Sequence, residues 1–480
     1  TANSEMAAPV HLSKLTTALR QLSISEMDRL EAFLESPYFQ GPAGALPLFQ
    51  YLRKLHPHYD EKKTAADYIQ KKAPALGNQK RQANNGSELL KAIEHFLAVE
   101  DFASSADSVD RHRLQAYKKH HMFEAFNKEH EQLLKKIDED KEQSVETFYN
   151  RHILAELALS GFDTKLNRTI HNTVHPVIKT LDEFYALKKL RYHCELLNRH
   201  QVLGTAYEDE NIDYIISVLQ AIKSESYPHV YLFVNIYNML KAGTFEEGES
   251  YYILLKNFID QHISSKSTLD IKETINYITN FGLYWNSRGY KRAGEIALWG
   301  HEMKMNTDEL LDRGKIPPSN FRNIVALAIL NGKDANWIKQ FIDSYSDHLP
   351  DEHKETNFAF ALAQYNYYLG DFSKAMPLFQ QAQVKEEPIF NAIVRRWQFM
   401  CMYEQDPEAI DVLFDFLNAY DRYIVRYAEQ FHWMKEIFVK NISYSKKLLK
   451  ATDAAKKKEL AALLNQEKYF TGKEWLLKQL

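Results

Sequence analysis

The sequence predicts an all-α protein, an N-terminal helical bundle followed by an α-solenoid of degenerate helix hairpins. Three observations predict it. Apolar residues recur three and four positions apart over long stretches, the spacing that keeps one face of a helix apolar. Helix breakers are sparse, with 16 glycines and 14 prolines against 28 tyrosines and 27 phenylalanines, a balance that suits large rings wedged between helices. Successive alternating runs joined by hairpin turns, the mark of a sheet, are missing from the sequence.

Taken in order, Ser23-x-x-Glu26 forms a capping-box pattern, and Ile24, Met27, Leu30, Phe33 and Leu34 follow at helical spacing. Ser36-Pro37-Tyr38-Phe39 ends that helix, and Gly41-Pro42 marks a turn. Leu46, Phe49, Leu52 and Leu55 predict a second helix closed by His56-Pro57, and a shorter one around Ala65 to Lys72 stops before Pro74. Asn84-Asn85-Gly86 reads as a turn and Ser87 as a cap, ahead of an apolar stripe at Leu89, Leu90, Ile93, Phe96 and Leu97. Residues 1–104 thus form the N-terminal bundle, and Ser104-Ser105-Ala106-Asp107-Ser108 reads as the loop that bounds it.

Residues 105–208 read as helix hairpins without a clear repeat consensus. Gln115 to Ile137 carries Tyr117, His121, Phe123, Phe126 and Leu133. Ser144 to Leu159 follows, Gly161 to Pro176 is irregular, and a helix from about Val177 to Leu203 shows Leu181, Phe184, Tyr185, Leu187 and Leu190. From residue 209 to 450 a repeat emerges. Phe245-x-x-Gly248, Tyr290-x-x-Ala293 and Phe372-x-x-Ala375 share an aromatic-then-small pair at the start of a hairpin's second helix, with weaker counterparts at Asp334-x-x-Trp337 and Asp406-x-x-Ala409. Val230 to Tyr237 has strand-like content, but its continuation to Gly243 at hairpin spacing favours a helix. One long helix is expected from Asp421, through Tyr423, Ile424, Tyr427, Phe431, Trp433 and Met434. Residues 451–480 read as basic capping helices, with Trp475 folding back on the last hairpin, since a terminal repeat would otherwise expose its apolar face.

Asn357 to Pro388 is the best-formed unit. Leu362 and Ala363 lie on its first helix, Gly370-Asp371 turns the chain, and Phe372, Ala375, Phe379 and Ala382 set a bulky-and-small seam on the second helix. At these eight positions the hairpin resembles a tetratricopeptide repeat, departing from it at Ala359, where an aromatic is usual, and at its late proline. The intervals from Gly248 to Ala293, Trp337, Ala375 and Ala409 are 45, 44, 38 and 34 residues, against roughly 34 in that repeat, so the units are lengthened or degenerate. The layout, with a first helix ending near Ser-Pro-Tyr-Phe and a final Glu-Trp-Leu-Leu, is also similar to that of large bacterial proteins with degenerate repeats. The resemblance implies that the first helix of each hairpin presents certain positions to a concave face. Here those are Phe233, Tyr237, Leu240 and Lys241, then Trp285 and Asn286, then Gln364, Tyr367 and Tyr368, then Gln398 and Met402.

Reactive chemistry is hard to find. His171-x-x-x-His175 has the spacing of two zinc ligands, but Asn172 stands where a base would be and Pro176 turns His175 out of helical geometry. His120-His121 point about 100° apart on a helix. Surface histidines are the preferred reading of both pairs, so no metal and no cofactor is expected. Phosphate-binding glycine loops and nucleophile elbows are missing. Cys194 and Cys401 are too few for a disulfide framework, the first residues lack a secretory pattern, and the reducing cytoplasm is expected. No apolar run is long enough to cross a membrane. Net charge is −4, which disfavours nucleic acid. Residues 440–480 hold ten lysines against four acids, Lys456-Lys457-Lys458 being the densest part, and a solvated lysine face is preferred over a phosphate or acidic-protein contact.

The expected function is therefore a non-enzymatic scaffold that holds a protein or peptide in the concave face of its helical repeats. Two alternatives stay open. One is a peptide-responsive bacterial regulator, whose layout joins an N-terminal effector bundle to tetratricopeptide repeats. The other is an RNA-binding helical-repeat protein.

Overall fold

The computed structural model describes residues 10–39, 42–140, 143–159, 174–208, 211–221, 227–262, 270–384, 387–431 and 434–480. The first residues, Gly41, Trp433 and the expected irregular stretch from Gly161 through His171 lie outside them. Among the described residues the chain is all-helical, with 24 α-helices, short 3-10 turns and no strand beyond a single bridge between Asp312 and Lys315. Backbone contacts group it into two units whose division runs through two helices, at Leu134 and at Ala155.

The first unit holds α1 (Val10–Arg20), α2 (Ile24–Glu35), α3 (Ala45–Arg53), α4 (Glu61–Thr64), α5 (Ala66–Lys72), α6 (Gln79–Ser104), α7 (Ala106–Lys119) and most of α8 (Phe123–Glu139). Its core gathers Leu19, Leu30, Phe49, Leu52, Ile69, Leu89 and Phe96, all fully or nearly fully buried. The capping box at α2 is formed: Ser23 Oγ accepts from the Glu26 amide at 3.3 Å, and the Glu26 carboxylate accepts from the Ser23 amide at 2.7 Å. Those bonds, the Ser23 hydroxyl first, hold the Glu26 carboxyl below its ordinary range.

Three expectations are corrected here. Asn84-Asn85-Gly86 does not turn the chain, because α6 starts at the Asn78 cap and runs straight through. Gly86 lies on its buried face, and Gln82 ties the helix to the carbonyls of Ala66 and Gly77, so packing overrides local propensity. The loop expected at Ser104 to Ser108 shrinks to Ser105 alone, whose hydroxyl caps α7. The helix expected from Gln115 to Ile137 breaks between α7 and α8, where His121 takes a left-handed conformation (φ 59°).

The second unit takes the end of α8, α9 (Val145–Leu159) up to Ala155, and then α10 (Val174–Leu203), α11 (Ile212–Ala221), α12 (Pro228–Lys241), α13 (Phe245–His262), α14 (Ile271–Asn286) and α15 (Lys291–Asn306). It continues with α16 (Pro318–Leu330), α17 (Ala335–Tyr345), α18 (Asp351–Tyr368), α19 (Phe372–Gln381), α20 (Pro388–Gln405), α21 (Ile410–Arg426), α22 (Met434–Lys450), α23 (Ala454–Gln466) and α24 (Lys473–Lys478). Each even-numbered helix from α12 to α20 packs against its successor, and α12 also touches α14, α16 touches α18, and α18 touches α20.

The sequence logic of these pairs is clearest at α18 and α19. Gly370 (φ 77°) lets the chain reverse, and Asp371 caps α19 by accepting from the Lys374 amide at 3.2 Å. Ala363, Ala375 and Ala382 are fully buried where the helices meet, and the Phe379 ring fills the wedge edge-on to Phe360. The strand-like stretch from Val230 lies within α12. Two further corrections concern helix limits. α10 begins at Val174 with Pro176 in its first turn, where a missing N–H costs nothing, so His175 is helical. The long helix expected from Asp421 is interrupted between α21 and α22, where Phe431 turns inward, fully buried against Phe438.

Candidate functional site

The residues expected on a concave face divide into two groups. Phe233, Tyr237 and Leu240 are buried in the core between α10, α12 and α14, and Trp285 is buried among Phe245, Phe281 and Tyr290. Gln364 and Gln398 are each 2% exposed; Gln398 donates to the Phe379 carbonyl at 3.1 Å and accepts from Gln383 at 3.2 Å. Met402 packs partly buried near Phe399. The expectation that these side chains are free for a partner is corrected by their burial. Lys241 is exposed, with its ammonium over the Tyr237 ring.

Asn286, Tyr367 and Tyr368 come together. They line a cleft of about 500 Å³ in the second unit, walled by α14, α16, α18 and α20 and closed by residues from Tyr469 to Lys478. Tyr367 and Tyr368 end α18 just before the Gly370 reversal, the first packed against the core around Ala363 and Phe379. Tyr367 stands edge-on to Trp397 and Phe372 at 5.1 Å and donates to Glu404 at 3.4 Å. Its burial pushes the phenol pKa upward, so it stays protonated as a donor. Tyr368 is 38% exposed and donates to the Lys333 carbonyl at 3.3 Å.

The C-terminal wall is built with care. Tyr469 fills the space where a side chain on Gly289 would stand, and Gly472 (φ 104°) starts α24 against Asn441. Asn441 donates to the Thr471 carbonyl. The Trp475 indole packs on Phe399 and Tyr403 of α20, in keeping with the expected fold-back, and donates to Glu404 at 2.9 Å, while Gln479 donates to the same oxygen at 2.8 Å. Phe470 and Leu476, each 1% exposed, root this segment in a core with Leu460 and Leu464.

Sequence reasoning missed Arg396 and Trp397 on α20, Asn323 on α16, and Tyr469. The available signal was Arg395-Arg396 set between Ile393, Val394 and Trp397 in an otherwise apolar stretch. Arg396 is partly buried in the cleft wall, and burial lowers its pKa from the ordinary arginine value. Two phenols, Tyr420 and Tyr469, act on it electrostatically. Tyr420 spends its hydroxyl on the Ala392 carbonyl at 2.6 Å, and burial holds both phenols in the protonated form. Lys291, Lys478 and Glu474 also border the cleft.

Among the described residues no group of three or more histidines, cysteines or carboxylates could hold a metal ion. His175 is exposed in the first turn of α10. Cys194 and Cys401 are unpaired and buried, and burial raises both thiols. In the basic run, Lys456 is tied to Asp453 and Lys457 to the Gln479 carbonyl. No helix among the described residues is long and apolar enough to cross a membrane. Comparison of the chain with protein families, with curated proteins and with solved structures finds no match.

Proposed function

We propose that this chain is a non-enzymatic binding protein. Its second unit is an α-solenoid of tetratricopeptide-like hairpins that receives a short peptide segment in the cleft between α14, α16, α18, α20 and the C-terminal wall. The observation that carries this reading is the convergence of Asn286, Tyr367 and Tyr368, from the ends of two helices, α14 and α18, in one cavity. Its volume lies in the range of sites that enclose a small ligand or a few residues of chain. Its lining also fits: aromatic rings offer apolar area, and the amides of Asn286 and Asn323 offer hydrogen bonds to a peptide backbone.

The test is affinity selection by the purified protein from a synthetic hexapeptide library. The native chain retains a defined subset of peptides. Tyr368→Ala and Asn323→Ala, at positions outside the buried core, reduce that retention while the thermal transition stays in place. Retention of nothing above background, or retention indifferent to both substitutions, refutes the reading.

A further inference from the structure

Arg396 is a partly buried cation in the cleft wall that the described residues do not pair. Removing a guanidinium from water costs several kcal/mol unless a counter-charge or hydrogen bonds replace the hydration. Arg191 and Arg322, also partly buried in the second unit, have such replacements, whereas the Nε of Arg395 is buried without a hydrogen-bond partner. Arg191 meets Asp270 and Glu273. Arg322 donates to Asn357 at 2.9 Å, meets Glu387 at 3.5 Å and lies over Phe390. Arg395 lies over the Tyr423 ring at 4.6 Å. Arg396, among the described residues, has no carboxylate within 4.0 Å, no hydrogen-bond acceptor and no ring beneath it. It borders the cleft and a small void of about 10 Å³ lined also by Asn441, Ser445 and Trp475. That void is just large enough for one water.

We propose that Arg396 is the anion anchor of the cleft and that the bound peptide presents a carboxylate to it, with an aromatic or apolar side chain beside that carboxylate. This rests on the peptide-binding reading of the cleft. A planar guanidinium matches a carboxylate through two parallel hydrogen bonds, and that pairing supplies the compensation the site lacks. Glu474 shares the wall, and Lys291 and Lys478 are exposed at its edge. Trp397, Met400 and Tyr469 surround the guanidinium's side of the cavity with apolar surface. There a neighbouring apolar side chain gains from burial, and the low polarity strengthens the ion pair.

Two carboxylates are available in a peptide, the one at its end and those of aspartate or glutamate, and the test separates them. The hexapeptide library is prepared with free and with amidated ends, and retained peptides are remade with each acidic side chain replaced by its amide. With the native protein, removing the decisive carboxylate weakens binding by about tenfold or more, and with Arg396→Gln by less than about twofold. Loss on end amidation alone assigns the terminal group; loss on aspartate-to-asparagine exchange alone assigns a side chain. Arg396→Lys keeps the charge without the planar fork and binds with intermediate selectivity. If the native protein retains charged and neutral forms equally while Tyr368→Ala weakens both, the anchor is refuted and the peptide site stands. If no peptide of either form is retained, both readings fall. The comparison of free and amidated peptides on the native chain decides the matter even where an Arg396 variant does not fold.

Discussion

His301 on α15 is 1% exposed, and neither ring nitrogen has a hydrogen-bond partner among the described residues. Burial, and then the charge of Lys304, lower its pKa to about 3. The folded chain therefore keeps the ring neutral down to that pH, whereas the unfolded chain protonates it near 6.5. Unfolding takes up a proton between those values, so stability falls as pH drops through this window, by at most about 1.4 kcal/mol per pH unit. Lys304, itself lowered to about 8, is charged in both states across that range and adds no slope there. His301→Gln should flatten the acid limb of the melting temperature against pH; an unchanged limb would show that other groups set it. The same burial explains what residue spacing conceals. Spacing placed Ala375 and Phe379 on one face, and they are core. The resemblance to tetratricopeptide repeats implied a concave face for Phe233, Tyr237, Trp285, Gln364 and Gln398, yet could not say what that face meets. Gln398 is accommodated inside only through the Phe379 carbonyl and Gln383, partners that the repeat pattern does not encode.

At the level of the helix pair, small residues decide how closely neighbours approach. A side chain on Gly282 of α14 would stand 2.6 Å from the Ala297 nitrogen and 2.8 Å from the Ala293 oxygen, both backbone atoms of α15. Alanine is about 1 kcal/mol better than glycine in a helix interior, but overpacking against unyielding backbone costs about 1–3 kcal/mol. Gly282→Ala is therefore expected to lower stability despite its better propensity, measured as a fall in the denaturant midpoint; a rise would mean the two helices can separate cheaply. Element type was largely legible because apolar period survives in one dimension, and the Ser23–Glu26 capping box was read correctly for the same local reason. Ends were less legible. Asn84-Asn85-Gly86 carries turn chemistry, but Gln82 and the buried Gly86 dock that stretch against distant chain. His121 and Phe431 break helices that their own neighbourhoods would continue.

Across the second unit as a whole, residues far apart in the chain meet at a single carboxylate. One oxygen of Glu404 accepts from Trp475, Gln479 and Tyr367, joining the C-terminal segment to α18 and α20. Glu404→Ala leaves those donors unanswered and should cost about 1–3 kcal/mol for each one that stays buried. Backbone amides from Lys473 to Gln479 should then exchange with solvent faster while those of α14 and α15 keep their rates; Glu404→Gln, which retains an acceptor, should restore most of the protection. Uniform acceleration throughout the unit would argue against a local tie. The fold-back of Trp475 was expected, but the cleft it helps to close was not, since part of the lining comes from a terminal segment outside the expected repeats. Trp397 and Trp475, two of the six tryptophans, border the cavity. A guest settling between those indoles changes the polarity around them, so its arrival alters the ultraviolet emission of the unlabelled protein, and the chain carries its own optical gauge of occupancy.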